Sequence, residues 1–522
     1  MLIFAFATLH AALAQNDRKF LDLDSRAYGY FDALFQEQGL AVASTARPWS
    51  IEQARQELGH IDTLHLSSAG LMAYEYLRAM TAHIPLQTGF RAKAGIGVSP
   101  QVFSHINIGT NASSAEEGYS WSRGYEFRKA ILEIPIEFWI GNEYYARMNN
   151  TIKEEHATVG DGNNYSNLVF DDPYPRIDLY FPFQAYTSIG GPGWSFRFGR
   201  DRLSWGNGHT GNLLLSDYSD FYDFLGLTFF GKTVTLNSVY SVFDALDAKT
   251  LEPSIYSALM AHRLDIRITD RLSISLNESV VFGTQDAELV RDLNYLMIFH
   301  NWMIPSRTNS LMSLEFNYTP LTNFQAYGQI AMDEFATSYE EERTGGGGPP
   351  VFGFLLGLDG VYPLGSGYLS GGIEWAMTSP WMYNRRQAPY YYNVRQYWSL
   401  TTDADEYIIK PIGYKYGPDA VVWNAHASYD IPSGPGLKCD ATYLMQGSTT
   451  IASAWNPIEG DSAPSGSTPE RIFTLALDAS YPVRTWFEIG LGITYISSRD
   501  IGHVADMYSN DLEFSTHFSI KY

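Results

Sequence analysis

Leu512-Glu513-Phe514-Ser515-Thr516-His517-Phe518-Ser519-Ile520-Lys521-Tyr522 ends the chain, and the reading of this stretch decides the fold. Leu512, Phe514, Thr516, Phe518, Ile520 and Tyr522 fall on one face of an extended strand. Glu513, Ser515, His517, Ser519 and Lys521 fall on the other, because successive side chains of a strand point to opposite sides. A strand of this length crosses a bilayer when tilted, since about 9–11 residues suffice.

The same period recurs upstream. Met312, Leu314, Phe316 and Tyr318 alternate with Ser313, Glu315 and Asn317. Phe473 to Tyr481 and Phe487 to Tyr495 repeat the pattern, as do Leu132, Ile134, Ile136, Phe138 and Ile140 around Glu133, Pro135, Glu137 and Trp139. Strands of a soluble sandwich are shorter, about 5–6 residues, and hide their apolar faces between two sheets. From Pro85 onward, roughly 430 residues at about 24 per strand plus connection predict some sixteen to twenty strands. The predicted fold is an all-β, antiparallel transmembrane barrel of about 18 strands. A terminal aromatic residue after such a strand resembles the signal read by the barrel-assembly machinery of Gram-negative bacteria. The expected location is therefore the bacterial outer membrane, with outer-membrane lipid and that machinery as partners.

Composition agrees. Aromatic residues make up 15% of the chain and charged residues only 18%, against about 25% charged in soluble domains. Tyr and Trp in such numbers suit girdles at membrane interfaces. A net charge of −22 lacks the basic footprint that phosphate backbones require, so no nucleic acid is expected as a partner. The single cysteine, Cys439, excludes a disulfide framework and a thiolate metal site.

Residues 1–14 (MLIFAFATLHAALA) are apolar and end in Ala12-Leu13-Ala14, the pattern of a signal peptide and its cleavage site. Residues 15–84 form a small N-terminal helical segment in this reading, on the periplasmic side of a barrel over 85–522. Ala27, Tyr30, Phe31, Leu34 and Phe35 share one helical face that Gly39 would close. Ser50 and Gln53 predict a capping box for a second helix, and Leu71 to Met80 reads as a third. Short turns such as Thr269-Asp270-Arg271 suit the periplasmic side. The longer stretches Lys153 to Asp172, Glu340 to Pro350, Met382 to Tyr416 and Gly447 to Pro469 suit the outside.

One stretch stands apart from the strand rhythm: Gly199-Arg200-Asp201-Arg202-Leu203-Ser204-Trp205-Gly206-Asn207-Gly208-His209-Thr210-Gly211-Asn212-Leu213-Leu214-Leu215-Ser216-Asp217. A strand-ending Gly-Arg, then Trp-Gly-x-Gly, then Gly-x-Leu-Leu-Leu-Ser-Asp resembles the Wzi-like capsule-assembly family of outer-membrane proteins. Arg47-Pro48 followed by a short capped helix is similar to that family's N-terminal part. The resemblance implies a monomeric barrel with a periplasmic helical bundle, acting as a lectin that attaches capsular or surface polysaccharide, with no cofactor.

A polysaccharide site needs aromatic faces for sugar rings and planar polar groups for hydroxyls or carboxylates. Arg200, Trp205, His209 and Asp217 offer that set, as do Trp381, Arg385 and Arg386 with the tyrosines after them, Tyr390 to Tyr392. The competing structural reading places Trp205 in an interface girdle and pairs Arg200 with Glu133 or Glu137 in the lumen. No catalytic residues and no metal ligands are assigned: there is no Gly-x-Ser-x-Gly elbow and no His-Glu-x-x-His pair. Gly365-Ser366-Gly367 reads as a turn. The chain is expected to be non-enzymatic, and the alternative function is a porin or transport channel.

Overall fold

The computed structural model describes residues 15–83, 85, 87–92, 95–110, 117–150, 168–169, 176–177, 184–219, 221–243, 256–284, 308–334, 351–384, 392–399, 405–451, 453–454, 456, 462–484 and 487–520. The proposed signal peptide lies outside the described residues, as do Lys521 and Tyr522.

The alternation seen in the sequence becomes a closed antiparallel barrel of 18 strands among the described residues. In chain order these are β1 (Gly95–Thr110), β2 (Glu117–Ile140), β3 (Tyr144–Asn150), β4 (Gln184–Gly191), β5 (Trp194–Asp201) and β6 (Tyr222–Phe230). They continue with β7 (Val234–Phe243), β8 (Tyr256–Thr269), β9 (Leu272–Thr284), β10 (Thr308–Leu321), β11 (Phe324–Glu334) and β12 (Val351–Leu364). The last six are β13 (Gly367–Thr378), β14 (Ala420–Asp430), β15 (Gly436–Gln446), β16 (Glu470–Arg484), β17 (Phe487–Arg499) and β18 (Tyr508–Ile520). A short lead-in, Gly89–Ala92, continues β1 along the same edge of β2. Each strand pairs with the next, and β18 closes the ring on β1, with Leu512 opposite Ile106. Closure removes the unpaired edges that a sheet in lipid cannot tolerate.

The barrel is inside-out relative to a soluble protein. On β10, Met312, Leu314, Phe316 and Tyr318 face outward and are 38–46% exposed, whereas Glu315 and Asn317 are 5% and 4% exposed in the lumen. Leu276, Ile373 and Leu491 are likewise exposed on the outer wall. Such an apolar band is stable only against lipid. Trp194, Phe229, Tyr362 and Tyr481 stand outward close to the short turns, where a girdle belongs. Among the described residues no helix is long and apolar enough to cross a membrane.

Among the described residues the short turns after β2, β4, β6, β8, β10, β12 and β14 lie at one end, and Thr269-Asp270-Arg271 and Gly365-Ser366-Gly367 are two of these turns. That end carries the helices α1 (Arg26–Gln38), α2 (Ile51–Leu58) and α3 (Ser68–Met80). Gly39 ends α1 in the left-handed conformation (φ 68°), which glycine adopts at low cost. The Gln53 N–H donates to Ser50 Oγ and caps α2. Gln53 Nε2 is buried without a hydrogen-bond partner.

The helical segment reaches across the barrel mouth. Lys19 pairs with Glu137 on β2 at 3.1 Å, and Arg26 Nη2 donates to Ser480 on β16 at 3.1 Å. Between them, the Ala41 N–H donates to Asp270 O, and Gln36 Nε2 to Gln325 Oε1 on β11. A shared apolar core of Phe31, Leu34, Trp49, Ala73 and Leu77 with Val361 and Tyr368 of the wall fixes the helices in place.

One joint in this end is expected to respond to pH. Glu57 of α2 is 1% exposed, and burial pushes its carboxyl up to about 7 although Arg267 on β8 pulls it down. An acid whose folded pKa is raised contributes stability below its unfolded value of about 4.5, and loses that contribution as pH rises toward about 7. Thermal unfolding in detergent should therefore give a lower midpoint at pH 8 than at pH 5, by an effect of order 1–3 kcal/mol. Glu57→Gln should flatten that difference. An unchanged slope in the variant would rule Glu57 out as its source.

Candidate functional site

The segment from Arg202 to Phe221 enters the lumen from the long-connection end and meets residues 44–47 coming from the helical end. They join as a two-residue antiparallel ladder, with Ala46 opposite Trp205 and Arg47 opposite Ser204. The Gly206 N–H donates to Thr45 O at 3.1 Å. Gly206 has φ 124°, and a Cβ there would lie 2.1 Å from Gln329 Nε2 and 2.3 Å from Asn212 Oδ1. Only glycine fits this crossing.

Side chains of the wall lock the insertion. Gln329 on β11 accepts from the Leu213 N–H and donates to Asn212 Oδ1. Tyr383 and Tyr392 donate to the carbonyls of Leu213 and Leu214 at 2.7 and 2.9 Å. Burial raises both phenols above their ordinary range and keeps them protonated as donors. Leu213, Leu214 and Leu215 are then packed against Val239, Leu259, Val281, Leu311, Leu355 and Val422, inward residues of β7 to β14. The three leucines are a plug core made of loop residues, which explains an apolar triplet outside any strand.

At the inner edge of this plug lies a polar cluster. His209 Nε2 is 2.6 Å from Asp440 Oδ2 on β15, and its ring stacks on His426 of β14 at 3.8 Å between centroids. Glu374 of β13 accepts from the N–H groups of His209 and Thr210 and from Tyr327 OH. Lys415 lies beside Asp440, Asp217 and Glu374, and burial pulls its ammonium below the usual lysine range. Beyond Asp440 the lumen is wet: Lys438 and Asp478 point inward from β15 and β16 yet are exposed. Among the described residues no group of His, Cys, Asp or Glu is arranged to hold a metal.

The residues expected to bind polysaccharide separate into different places. Trp205 is 2% exposed inside the plug; it stands neither in an interface girdle nor with a face free for a sugar ring. Arg200 continues the alternation of β5 and stands on the outer wall with Trp194, Phe196 and Phe198, while Arg197 and Asp201 face inward. There it makes a bidentate pair with Asp223, 2.7 and 2.6 Å, over the Phe221 ring, instead of meeting Glu133 or Glu137. Glu137 is held by Lys19 and Tyr145. His209 and Asp217 keep accessible side chains, 39% and 49% exposed. Trp381 packs partly against the plug, and Arg385 and Arg386 lie outside the described residues.

The stretch from Met382 to Tyr416, expected as an external loop, instead folds inward where it is described: Met382, Tyr383, Tyr392, Ile412 and Tyr414 are fully buried. Its tyrosines supply the donors that the carbonyls of the inserted leucines lack. Sequence reasoning also missed Asp359, Glu374, His426 and Asp440. Their signal was present, because His426 alternates with outward Trp423, Ala425 and Ala427, but an inward polar residue is common to every strand here.

These features define a transmembrane β-barrel whose lumen is occupied on one side by two interlocked segments. Among solved structures, the chain superposes on Wzi of Escherichia coli, described as an outer-membrane protein involved in group 1 capsule assembly and a carbohydrate-binding β-barrel. The TM-score is 0.60 and the identity 12%, covering 96% of this chain and 99% of that one. Pseudomonas aeruginosa OccK3 (TM-score 0.38, 8% identity, 82% of this chain and 96% of that one) and Acinetobacter baumannii OccAB1 (0.39, 10%, 82% and 96%) overlap less well. No family model matches the sequence, and no characterised protein matches it at the sequence level. The likeness to Wzi is one of fold.

Proposed function

We propose that this chain is an outer-membrane β-barrel that holds surface or capsular polysaccharide, without catalysing a reaction, with its helical segment toward the periplasm. The observation that carries the reading is the whole-length likeness to a carbohydrate-binding barrel. In this proposal Trp381, Arg385 and Arg386 contact the glycan at the long-connection end. His209 and Asp217 offer accessible polar groups deeper in, Arg200 stands at the outer rim, and Trp205 acts indirectly by holding the plug.

Binding of purified capsular polysaccharides to proteoliposomes carrying the barrel tests this. The triple variant Trp381→Ala, Arg385→Ala, Arg386→Ala should bind roughly tenfold less or worse, since aromatic and Arg anchors dominate such interfaces. Unchanged binding would sink the assignment.

A transport channel is the competing reading, and the exposed inward Lys438 and Asp478 favour it. Against it, the N-terminal segment reaches across the short-turn mouth from β2 to β16.

A further inference from the structure

On the outer face of the wall, at the end away from the helices, two arginines stand against each other. Arg471 of β16 and Arg499 of β17 are registered partners in the ladder, which sets their Cβ atoms about 4.5–5.5 Å apart. Both continue the outward alternation of their strands: Phe473, Leu475 and Leu477 on β16, and Ile493, Tyr495 and Ser497 on β17. Both are exposed. Like charges directly opposite each other weaken a strand pair, so this pairing calls for an anion.

The chain itself supplies only part of one. Arg471 Nη1 lies 3.4 Å from Asp500 Oδ2, yet the Arg471 side chain stays 49% exposed. Asp500 is shared with its own connection, since its Oδ1 accepts from the Asp506 N–H at 3.1 Å. Glu470 accepts from the Gly502 N–H at 3.3 Å. The Arg499 guanidinium lies 4.8 Å over the Tyr508 ring, and no carboxylate among the described residues pairs with it.

The rows beneath the arginines grade from polar to apolar. First come Phe473, Ser497 and Asn510, registered across β16, β17 and β18. Ser497 Oγ and Tyr495 OH donate to Asn510 Oδ1 at 2.8 and 3.2 Å. Next are Leu475, Tyr495 and Leu512, then Leu477, Ile493 and Phe514, the last three 41–43% exposed. From Arg471 to Tyr481, near the short turns, β16 advances ten residues. At about 3.4 Å each and a tilt of about 40°, that is about 26 Å across the membrane, the height of an outward apolar band. The arginine pair caps the band at the level of the headgroups.

We propose that this face is a lipid site, in which the two guanidiniums clamp the phosphate monoester of an outer-leaflet lipid whose acyl chains lie on the apolar rows. Arg forks bind phosphate bidentately. A monoester presents three terminal oxygens to the two forks, one more than a diester. The choice of leaflet rests on the orientation proposed above, with the helices toward the periplasm; the glycan reading does not enter.

Native mass spectrometry of the full-length barrel in detergent tests this, with diphosphoryl lipid A, the same lipid without its phosphates, phosphatidylglycerol and inorganic phosphate as probes. Lipid A should give a one-to-one adduct stronger than that of either other lipid. The double variant Arg471→Gln, Arg499→Gln should cut that adduct about tenfold or more, since two charge-assisted contacts are lost. Arg484→Gln, an exposed arginine at the other end of β16, should leave it unchanged. Heat-modified mobility confirms that each variant is folded. An undiminished adduct in the folded double variant would overturn the site, as would dephosphorylated lipid or phosphatidylglycerol binding as well as lipid A. Displacement of lipid A by equimolar inorganic phosphate would overturn it too, because the apolar rows would then contribute nothing. A double variant that keeps lipid A but loses capsular polysaccharide would assign the pair to glycan attachment instead. Lost lipid with polysaccharide binding retained would support the site and leave the attachment role standing.

Discussion

Replacing Arg263 with alanine should destabilise the barrel by roughly 3–5 kcal/mol, the usual cost of stranding partners of a buried ion pair. Arg263 on β8 is 0% exposed. Its guanidinium bonds Asp265 and Glu315 at 2.8 Å each, and also Ser275 and Thr45. Ser44 donates to the other oxygen of Asp265 at 2.7 Å. One cation thus holds two carboxylates of the wall and the inserted N-terminal strand. Heat-modified mobility on electrophoresis reads the midpoint of unfolding. The neutral triple replacement Arg263→Met, Asp265→Leu, Glu315→Leu should recover much of the loss, because apolar groups of similar volume need no pairing. A loss below about 1 kcal/mol in Arg263→Ala would mean that this network is not the anchor described.

Trp205→Ala should act on the plug more than on the wall. Truncating a buried tryptophan costs about 3–5 kcal/mol, and here the removed ring packs between loop leucines and Ala46. The ladder between residues 46–47 and 204–205 has only two registered pairs, so that cost exceeds what the joint retains by itself. The barrel ladders do not depend on Trp205 and should stay intact. Limited trypsin digestion at Arg202, which is held at the surface by Asp24 and Asp217, should accelerate at least about tenfold, since cleavage follows the population of the opened state. The strand bands should remain protected. Equal digestion rates would show that Trp205 does not hold the insertion.

The strands were legible because the bilayer imposes a single rule on all of them: one face apolar, the other polar. β10 obeys it at every position from Met312 to Tyr318. The helices were legible from Ser50, Gly39 and the 3.6-residue spacing of Ala27, Phe31 and Phe35. The plug was not. Leu213 to Leu215 and Tyr392 carry no periodicity that distinguishes an insertion into the lumen from an external loop, and their burial depends on Gln329, Tyr383 and Glu374, far away in sequence. Arg200 was misplaced for another reason: pairing it with luminal carboxylates overlooks the alternation itself, which sets it on the outward face of Trp194, Phe196 and Phe198. The polar cluster of His209 and Asp440 is built from residues 231 positions apart, which one sequence cannot bring together.

The central claim is a barrel whose lumen is plugged so that it holds a ligand instead of passing solutes. Single-channel recording in planar bilayers tests that claim most directly. The wild-type barrel should show no steady open level, and Trp205→Ala should show long-lived conductance steps. Steady ohmic steps in the wild type, as large as those of Trp205→Ala, would contradict the account and assign the chain to the channels.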